Sequence, residues 1–158
     1  MSEAAARPVP GRDATVSLRE ITQATLGPIL ELKVAPEQEQ FVAPNAVSIA
    51  QAHFSDKAWF RAIYADDTPV GFVMLHDDPE QPEYFLWRLM VAAEHQGKGF
   101  GRRAVERLLD YVRTRPGAKE LLVSYVPGDG CPEPFYRKLG FEPTGRVEGG
   151  EVIMRLPL

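Results

Sequence analysis

The sequence is poor in residues that bind metals or form cross-links. Cys131 is the single cysteine in 158 residues, which excludes an intrachain disulfide and a cysteine-cluster metal site. A cytoplasmic location is therefore the default expectation. The three histidines, His53, His76 and His95, do not have metal-ligand spacing. We therefore expect no metal cofactor and assign these histidines to loops or to the surface.

Long apolar runs and an excess of positive charge are also missing. No apolar run approaches the roughly 20 residues of a membrane span. The net charge of −4 argues against nucleic acid as the main partner, because such binders concentrate basic residues on one surface. The length and composition are typical of one globular domain. We expect a flexible tail over residues 1–14, rich in Ala, Arg and Pro, and a single domain over residues 15–158.

The chain does contain clear strand and helix patterns. Strands are predicted at 16–20, 58–64, 70–75, 84–91, 121–126, 141–146 and 151–156, and helices at 26–34, 49–54, 100–113 and 132–139. The order β-α-α-β-β-β-α-β-α-β-β predicts an α/β (α+β) fold. Its mostly antiparallel central sheet has six or seven strands and is flanked by helices. Only the crossover from 84–91 through 100–113 to 121–126 requires parallel strands.

The most informative segment is the glycine-rich turn at 96–102, between a strand and an amphipathic helix. Such a turn directs bare backbone N–H groups and the positive end of a helix dipole at one point, which favours a bound phosphate or pyrophosphate. A P-loop is excluded because Gly99, not Ser or Thr, follows Lys98. A dinucleotide fingerprint is poorly supported because Arg102 stands where the third glycine is needed.

The spacing Gln/Arg-x-x-Gly-x-Gly/Ala does fit this turn, as Gln96-Gly97-Lys98-Gly99-Phe100-Gly101. It is similar to the acetyl-CoA-binding motif of the GNAT superfamily of N-acetyltransferases. The order of elements also resembles that family over about residues 16–156. Within it, residues 34–45, 86–91 and 135–143 are similar to bacterial spermine/spermidine acetyltransferases.

This resemblance implies acetyl transfer from acetyl-CoA to a primary amine, by direct attack in a ternary complex. A polyamine such as spermine or spermidine is the leading acceptor. The alternatives are a protein N-terminus or lysine, an aminoglycoside, an amino acid, or a non-catalytic module that binds acyl-CoA. Relatives are often homodimers, so a homodimer is possible here.

The resemblance also implies which residues bind the cofactor. Main-chain groups of the strand would bind the pantetheine arm, and the turn would bind the pyrophosphate, with a cationic contact from Lys98 or Arg102. The implied cofactor-binding residues are Leu89, Met90, Val91, Gln96, Gly97, Lys98, Gly99, Phe100, Gly101, Arg102 and Asp129. Asp129 stands where the family commonly has asparagine. Its carboxylate could instead bind an amine or form a Gly-Asp-Gly turn.

Tyr136 is the implied catalytic residue, because it occupies the family's tyrosine position in Phe-Tyr-x-x-x-Gly-Phe. A phenol with a pKa of about 10 keeps its proton at neutral pH and can donate it to a leaving thiolate. The alternative is that Tyr136 is only a core residue of a short helix.

The carboxylates do not identify one general base. Glu20, Glu83 and Glu133 are candidates. Acidic residues also cluster at 37–39 and 77–83, in segments that border the acceptor side in the family. They would attract a cationic acceptor, unless they are only solvated loops. The substrate-binding candidates are Glu20, Glu37, Glu39 and Glu83.

Overall fold

The computed structural model describes residues 9–158, which form seven strands and four α-helices. The strands are β1 (Val16–Arg19), β2 (Ala58–Ala65), β3 (Thr68–Asp78), β4 (Glu83–Val91), β5 (Glu120–Tyr125), β6 (Glu142–Glu148) and β7 (Glu151–Pro157). The helices are α1 (Leu26–Glu31), α2 (Asn45–His53), α3 (Phe100–Arg113) and α4 (Glu133–Leu139). Short 3-10 turns lie at Pro36–Gln38 and Ala93–His95.

All seven strands form one sheet in the order β1-β2-β3-β4-β5-β7-β6. Only β4 and β5 run parallel, and every other neighbouring pair is antiparallel. The parallel pair follows from the α3 crossover, since a helix between two strands returns the chain in the same direction. The predicted mixed, mostly antiparallel fold is therefore confirmed.

Helices cover both faces of the sheet. The buried stripe of α3 is formed by Phe100, Ala104, Val105, Leu108 and Val112, and it packs with α4 against one face. Helices α1 and α2 contribute to a second apolar cluster on the opposite face. No helix within residues 9–158 is both long and apolar enough to cross a membrane.

Most element boundaries lie within two residues of the sequence predictions, and three shift further. Helix α1 ends at Glu31 because the next residue, Leu32, is extended. Helix α2 begins at Asn45 rather than at residue 49, because the Asn45 amide donates to the Ile29 carbonyl at 2.9 Å and so docks α2 on α1. The strand predicted at 70–75 continues to Asp78, because it pairs with β4 along this length.

The segment just before β1 packs against the glycine-rich turn. The Lys98 ammonium donates to the Pro10 carbonyl at 2.8 Å, and the Arg103 guanidinium donates to the Ala14 carbonyl at 2.6 Å. Pro10 and Ala14 are buried. These contacts tie residues 10–14 to the domain, whereas residues 1–8 of the predicted tail lie outside the described residues.

Candidate functional site

Strands β4 and β5 pair over a short length and then diverge. Their parallel pairing consists of Phe85 with Leu122 and Leu86 with Val123. Immediately beyond this point β4 has a bulge at Trp87, which is skipped in the register with β3. The rest of β4 therefore has no β5 partner. Apart from the Val91 carbonyl, which accepts from the Gln96 amide, its backbone groups on that side are open to a ligand.

A cavity of about 1110 Å³ occupies the opening between the diverging strands. Its walls come from β4, from the glycine-rich turn, from the loop between α1 and α2, from the start of α4 and from the hairpin of β6 and β7. Pockets for one small ligand have about 300–1,000 Å³. The volume thus suits a large cofactor together with a second substrate.

The glycine-rich turn has the conformation that its sequence requires. Gly97 and Gly99 both have φ of +78°, which disfavours residues with a Cβ. A Cβ on Gly97 would meet no neighbouring atom, so this side of the turn is open. Gly101 has a different role, because a Cβ there would lie 3.2 Å from the Phe135 ring. Gly101 therefore also permits the close approach of α3 and α4.

Two side chains hold this turn in place: Arg103, which the sequence did not indicate, and the motif residue Gln96. The Arg103 guanidinium donates to the Lys98 carbonyl at 3.0 Å. The Gln96 amide donates to the Val91 carbonyl at 2.9 Å and to the Gln38 side-chain oxygen at 2.8 Å. The turn is thus fixed to β4 and to the loop between α1 and α2 before any ligand binds.

Most of the predicted cofactor-binding residues line the cavity. They are Leu89, Met90, Val91, Gln96, Gly97, Gly99, Phe100, Gly101 and Arg102. Lys98 and Asp129 are not part of the cavity wall. The Lys98 ammonium is already bonded to Pro10, and Asp129 is exposed beside the cavity. Arg102 is an exposed side chain that pairs with Glu106 at 3.5 Å, so its guanidinium can turn to a ligand at little cost.

Tyr136 lines the same cavity from the first turns of α4 and is only 7% exposed. Its ring packs between Phe135 and Phe141, at centroid distances of 5.6 and 5.5 Å. Burial raises the pKa of Tyr136 to about 12. Since the phenol keeps its proton at neutral pH, it is suited to donate that proton into the cavity.

This pKa predicts a loss of stability in alkaline solution. The free phenol ionises near pH 10, whereas folded Tyr136 resists ionisation until about pH 12. The unfolded state therefore releases the proton first, and Tyr136 alone lowers the free energy of unfolding between these pH values by about 1.4 kcal/mol per pH unit at most. Urea titrations from pH 9 to pH 12 measure this fall, which should be shallower in Tyr136→Phe. An equal slope in both proteins would contradict it.

Most of the carboxylates predicted to bind the acceptor or to act as the general base lie outside the cavity wall. Glu39 lines the cavity, but Glu20, Glu37, Glu83 and Glu133 do not. Glu20 pairs with Arg61 at 3.5 Å, and Glu133 forms an ion pair with Arg137. Glu83 lines a separate cavity of about 270 Å³ with His76, Phe85 and Trp87.

Two carboxylates that were not predicted do line the main cavity. Glu148 and Glu151 face each other across the hairpin of β6 and β7, and the Ser124 hydroxyl donates to Glu151 at 3.4 Å. The sequence contained a signal for them, because Gly149-Gly150 is a two-residue hairpin turn that brings its flanking residues together.

Two basic side chains in the cavity wall were also missed. Arg88 lies at the β4 bulge, where its guanidinium donates to the Trp87 carbonyl at 3.0 Å and to the Gln51 side-chain oxygen at 3.2 Å.

The surface assignment of His95 is wrong, since its side chain is buried and its Nδ1 has no partner among residues 9–158. Burial lowers the pKa of His95, so the ring is neutral at pH 7. Within the same residues no group of three or more His, Cys, Asp or Glu could hold a metal ion.

Comparison with known proteins relates this chain to a described family. The sequence model of the acetyltransferase (GNAT) family matches residues 18–141. The spermine/spermidine N(1)-acetyltransferase of Bacillus subtilis is 22% identical over 147 residues, covering 89% of this chain and 97% of that protein. The L-2,4-diaminobutyric acid acetyltransferase of Streptomyces avermitilis is 32% identical over 73 residues, covering 46% of this chain and 41% of that protein.

Solved structures have the same fold. The PaiA N-acetyltransferase of Thermoplasma acidophilum, in complex with coenzyme A, aligns with a TM-score of 0.67 at 17% identity. That alignment covers 91% of this chain and 99% of the other. The resemblance found in the sequence is thereby confirmed, and the chain belongs to the acetyltransferase (GNAT) family.

Proposed function

We propose that this protein transfers the acetyl group of acetyl-CoA to a primary amine by direct attack. One observation carries the proposal: the opening between β4 and β5 leads from the glycine-rich turn to the cavity wall that contains Tyr136. Membership of an acetyltransferase family supports it. So does the coenzyme A complex of a protein with the same fold.

The cofactor would lie in this opening with its pyrophosphate at the glycine-rich turn and its thioester at the opposite end. Its pyrophosphate would lie on the N–H groups of the turn and the first residues of α3, where the helix dipole favours negative charge. Its pantetheine arm would bind main-chain groups of Leu89, Met90 and Val91, which have no β5 partner. The pantetheine arm would run along β4 from Val91 to Trp87, a length of about 13 Å. The thioester would therefore lie where β4 and β5 meet.

The reaction then needs deprotonation of the amine, attack on the thioester and protonation of the leaving thiolate. The acceptor ammonium, with a pKa of about 10.4, must first lose a proton to water or to a carboxylate. The neutral nitrogen attacks the thioester carbon, so that a C–N bond forms and the C–S bond breaks. Tyr136 donates its proton to the departing thiolate, and the proton that the attacking nitrogen loses as the amide forms returns to Tyr136 through water. Cys131 has no part in this route, because the amine attacks acetyl-CoA itself.

A polyamine is the acceptor that the full-length relatives favour, since the Bacillus subtilis protein is a spermine/spermidine acetyltransferase. The carboxylates of Glu39, Glu148 and Glu151 in the cavity wall would attract such a cation. An amino acid with a second amine is the other candidate. It is favoured by Arg88 and by the diaminobutyric acid acetyltransferase match. A cytoplasmic location and a homodimer remain predictions.

An acceptor screen tests the proposal. Purified protein is incubated with acetyl-CoA and, in turn, polyamines, diamino acids, monoamino acids, aminoglycosides and peptides, and free thiol release is measured. We expect amine-dependent release with at least one small amine, at a rate that rises with pH as the amine loses its proton. Calorimetric binding of acetyl-CoA without release for any amine would instead indicate a non-catalytic binding module.

A further inference from the structure

Arg88 is a cation in the cavity wall that lacks a carboxylate partner. Its two hydrogen bonds go to neutral oxygens, of Trp87 and Gln51, and its Nε is buried without a partner among residues 9–158. No ion pair involves Arg88 within the described chain. Burial lowers the pKa of Arg88, and the Glu151 carboxylate partly raises it again. A half-buried guanidinium without a counter-ion is unfavourable, which favours a bound anion in the working complex.

The position of Arg88 indicates where that anion lies. Beyond the last paired residues, Leu86 and Val123, β4 continues with the bulge and Arg88, whereas β5 continues with Ser124. The Ser124 hydroxyl donates to Glu151. The Arg88 guanidinium of β4 and the Glu151 carboxylate of β7, which is bonded to Ser124 of β5, thus lie near the junction of β4 and β5 without forming an ion pair. The turn that suits the pyrophosphate is at the other end of the free β4 segment, so the anion on Arg88 is not that pyrophosphate.

We propose that Arg88 binds a carboxylate carried by the acceptor, so that the preferred acceptor is an amino acid with a second amine rather than a polycation. This inference rests on the proposed function and narrows its substrate class. Each terminal nitrogen of Arg88 keeps a further N–H, and a guanidinium fork matches a carboxylate well. A polyamine brings no anion, and the guanidinium repels its ammonium groups. A diamino acid would place its carboxylate on Arg88 and an ammonium near Glu151, so that both charges of the acceptor are matched.

A purely structural role for Arg88 makes a different prediction. In that case the guanidinium only ties α2 to β4 through Gln51, and the substitution Gln51→Ala should have the same effect as Arg88→Gln. Gln51 is exposed and is not part of the cavity wall, which makes Gln51→Ala a matched control.

The test uses acceptor pairs that differ only in the carboxylate: ornithine with putrescine, and lysine with cadaverine. We expect wild-type kcat/KM to favour the amino acid of each pair by at least about tenfold, since a hydrogen bond to a charged group contributes about 1.5–3 kcal/mol. Arg88→Gln should remove this preference, mainly by raising KM for the amino acid. Arg88→Lys should restore part of it, and Gln51→Ala should keep it.

A wild-type preference for putrescine and cadaverine would overturn the inference and leave the proposed function intact, because acetyl transfer would still occur. An equal loss for both members of a pair in Arg88→Gln would also overturn it. No turnover with any amine, despite acetyl-CoA binding, would overturn the proposed function itself. Binding of acetyl-CoA by each variant checks that it folds. The wild-type preference is measured without any substitution, so it tests the inference even if an Arg88 variant does not fold.

Discussion

Replacing Tyr136 with phenylalanine is expected to lower kcat by about 10²- to 10⁴-fold, the usual contribution of a general acid. The affinity for acetyl-CoA should not change, because the ring and its packing between Phe135 and Phe141 remain. Without the phenol, the thiolate must leave unprotonated or take its proton from water. Steady-state rates at saturating amine, with calorimetric binding of acetyl-CoA, measure the two effects separately.

Tyr125→Phe is the matched control for this substitution. Tyr125 is a half-buried tyrosine in β5, it packs against the same core, and it is not part of the cavity wall. We expect Tyr125→Phe to keep the wild-type kcat. If Tyr136→Phe turns over at the wild-type rate across the pH range, then Tyr136 is only a core residue and the acid is another group.

Replacing Gly97 with alanine is expected to weaken acetyl-CoA binding by about 10- to 100-fold. The φ of +78° disfavours alanine, so the backbone of the turn should rotate and move its N–H groups away from the pyrophosphate. Loss of one hydrogen bond to a charged group costs about 1.5–3 kcal/mol. Calorimetric titration of acetyl-CoA into the variant measures the change in Kd.

Gly145→Ala separates backbone strain from loss of the ligand site. Gly145 has a φ of +82°, its Cβ would also meet open space, and it lies in β6 away from the cavity wall. Both substitutions should lower Tm by a similar amount, but only Gly97→Ala should change Kd. Equal affinity for acetyl-CoA in the two variants would mean that the turn does not hold the cofactor.

Local sequence patterns predicted the elements of this fold because their causes are local. The buried stripe of α3 follows from helical spacing, and the turn at its start follows from glycines that need positive φ. The start of α2 at Asn45 was not predictable in this way. It depends on a hydrogen bond to Ile29 in another helix, which no local pattern contains.

The parts of the candidate site that belong to local sequence motifs were also predictable. The turn and Tyr136 belong to contiguous motifs, and both line the cavity. Arg88 was missed because nothing in its own sequence neighbourhood indicates that it lacks a counter-ion. That property depends on the junction of β4 and β5, on Gln51 in α2 and on Glu151 in the last hairpin. Glu83 was predicted on the acceptor side but lines a separate cavity.

The central claim is that the amine attacks acetyl-CoA within this cavity. The most direct test supplies acetyl-CoA with an isotopically labelled acetyl group and follows label, free coenzyme A and acceptor by mass spectrometry. The account predicts one labelled acetylamine for each coenzyme A released, no release without the amine, and no label on the protein, including Cys131. Stable labelling of the protein before the amine is added, or no acetylamine with any acceptor, would contradict it.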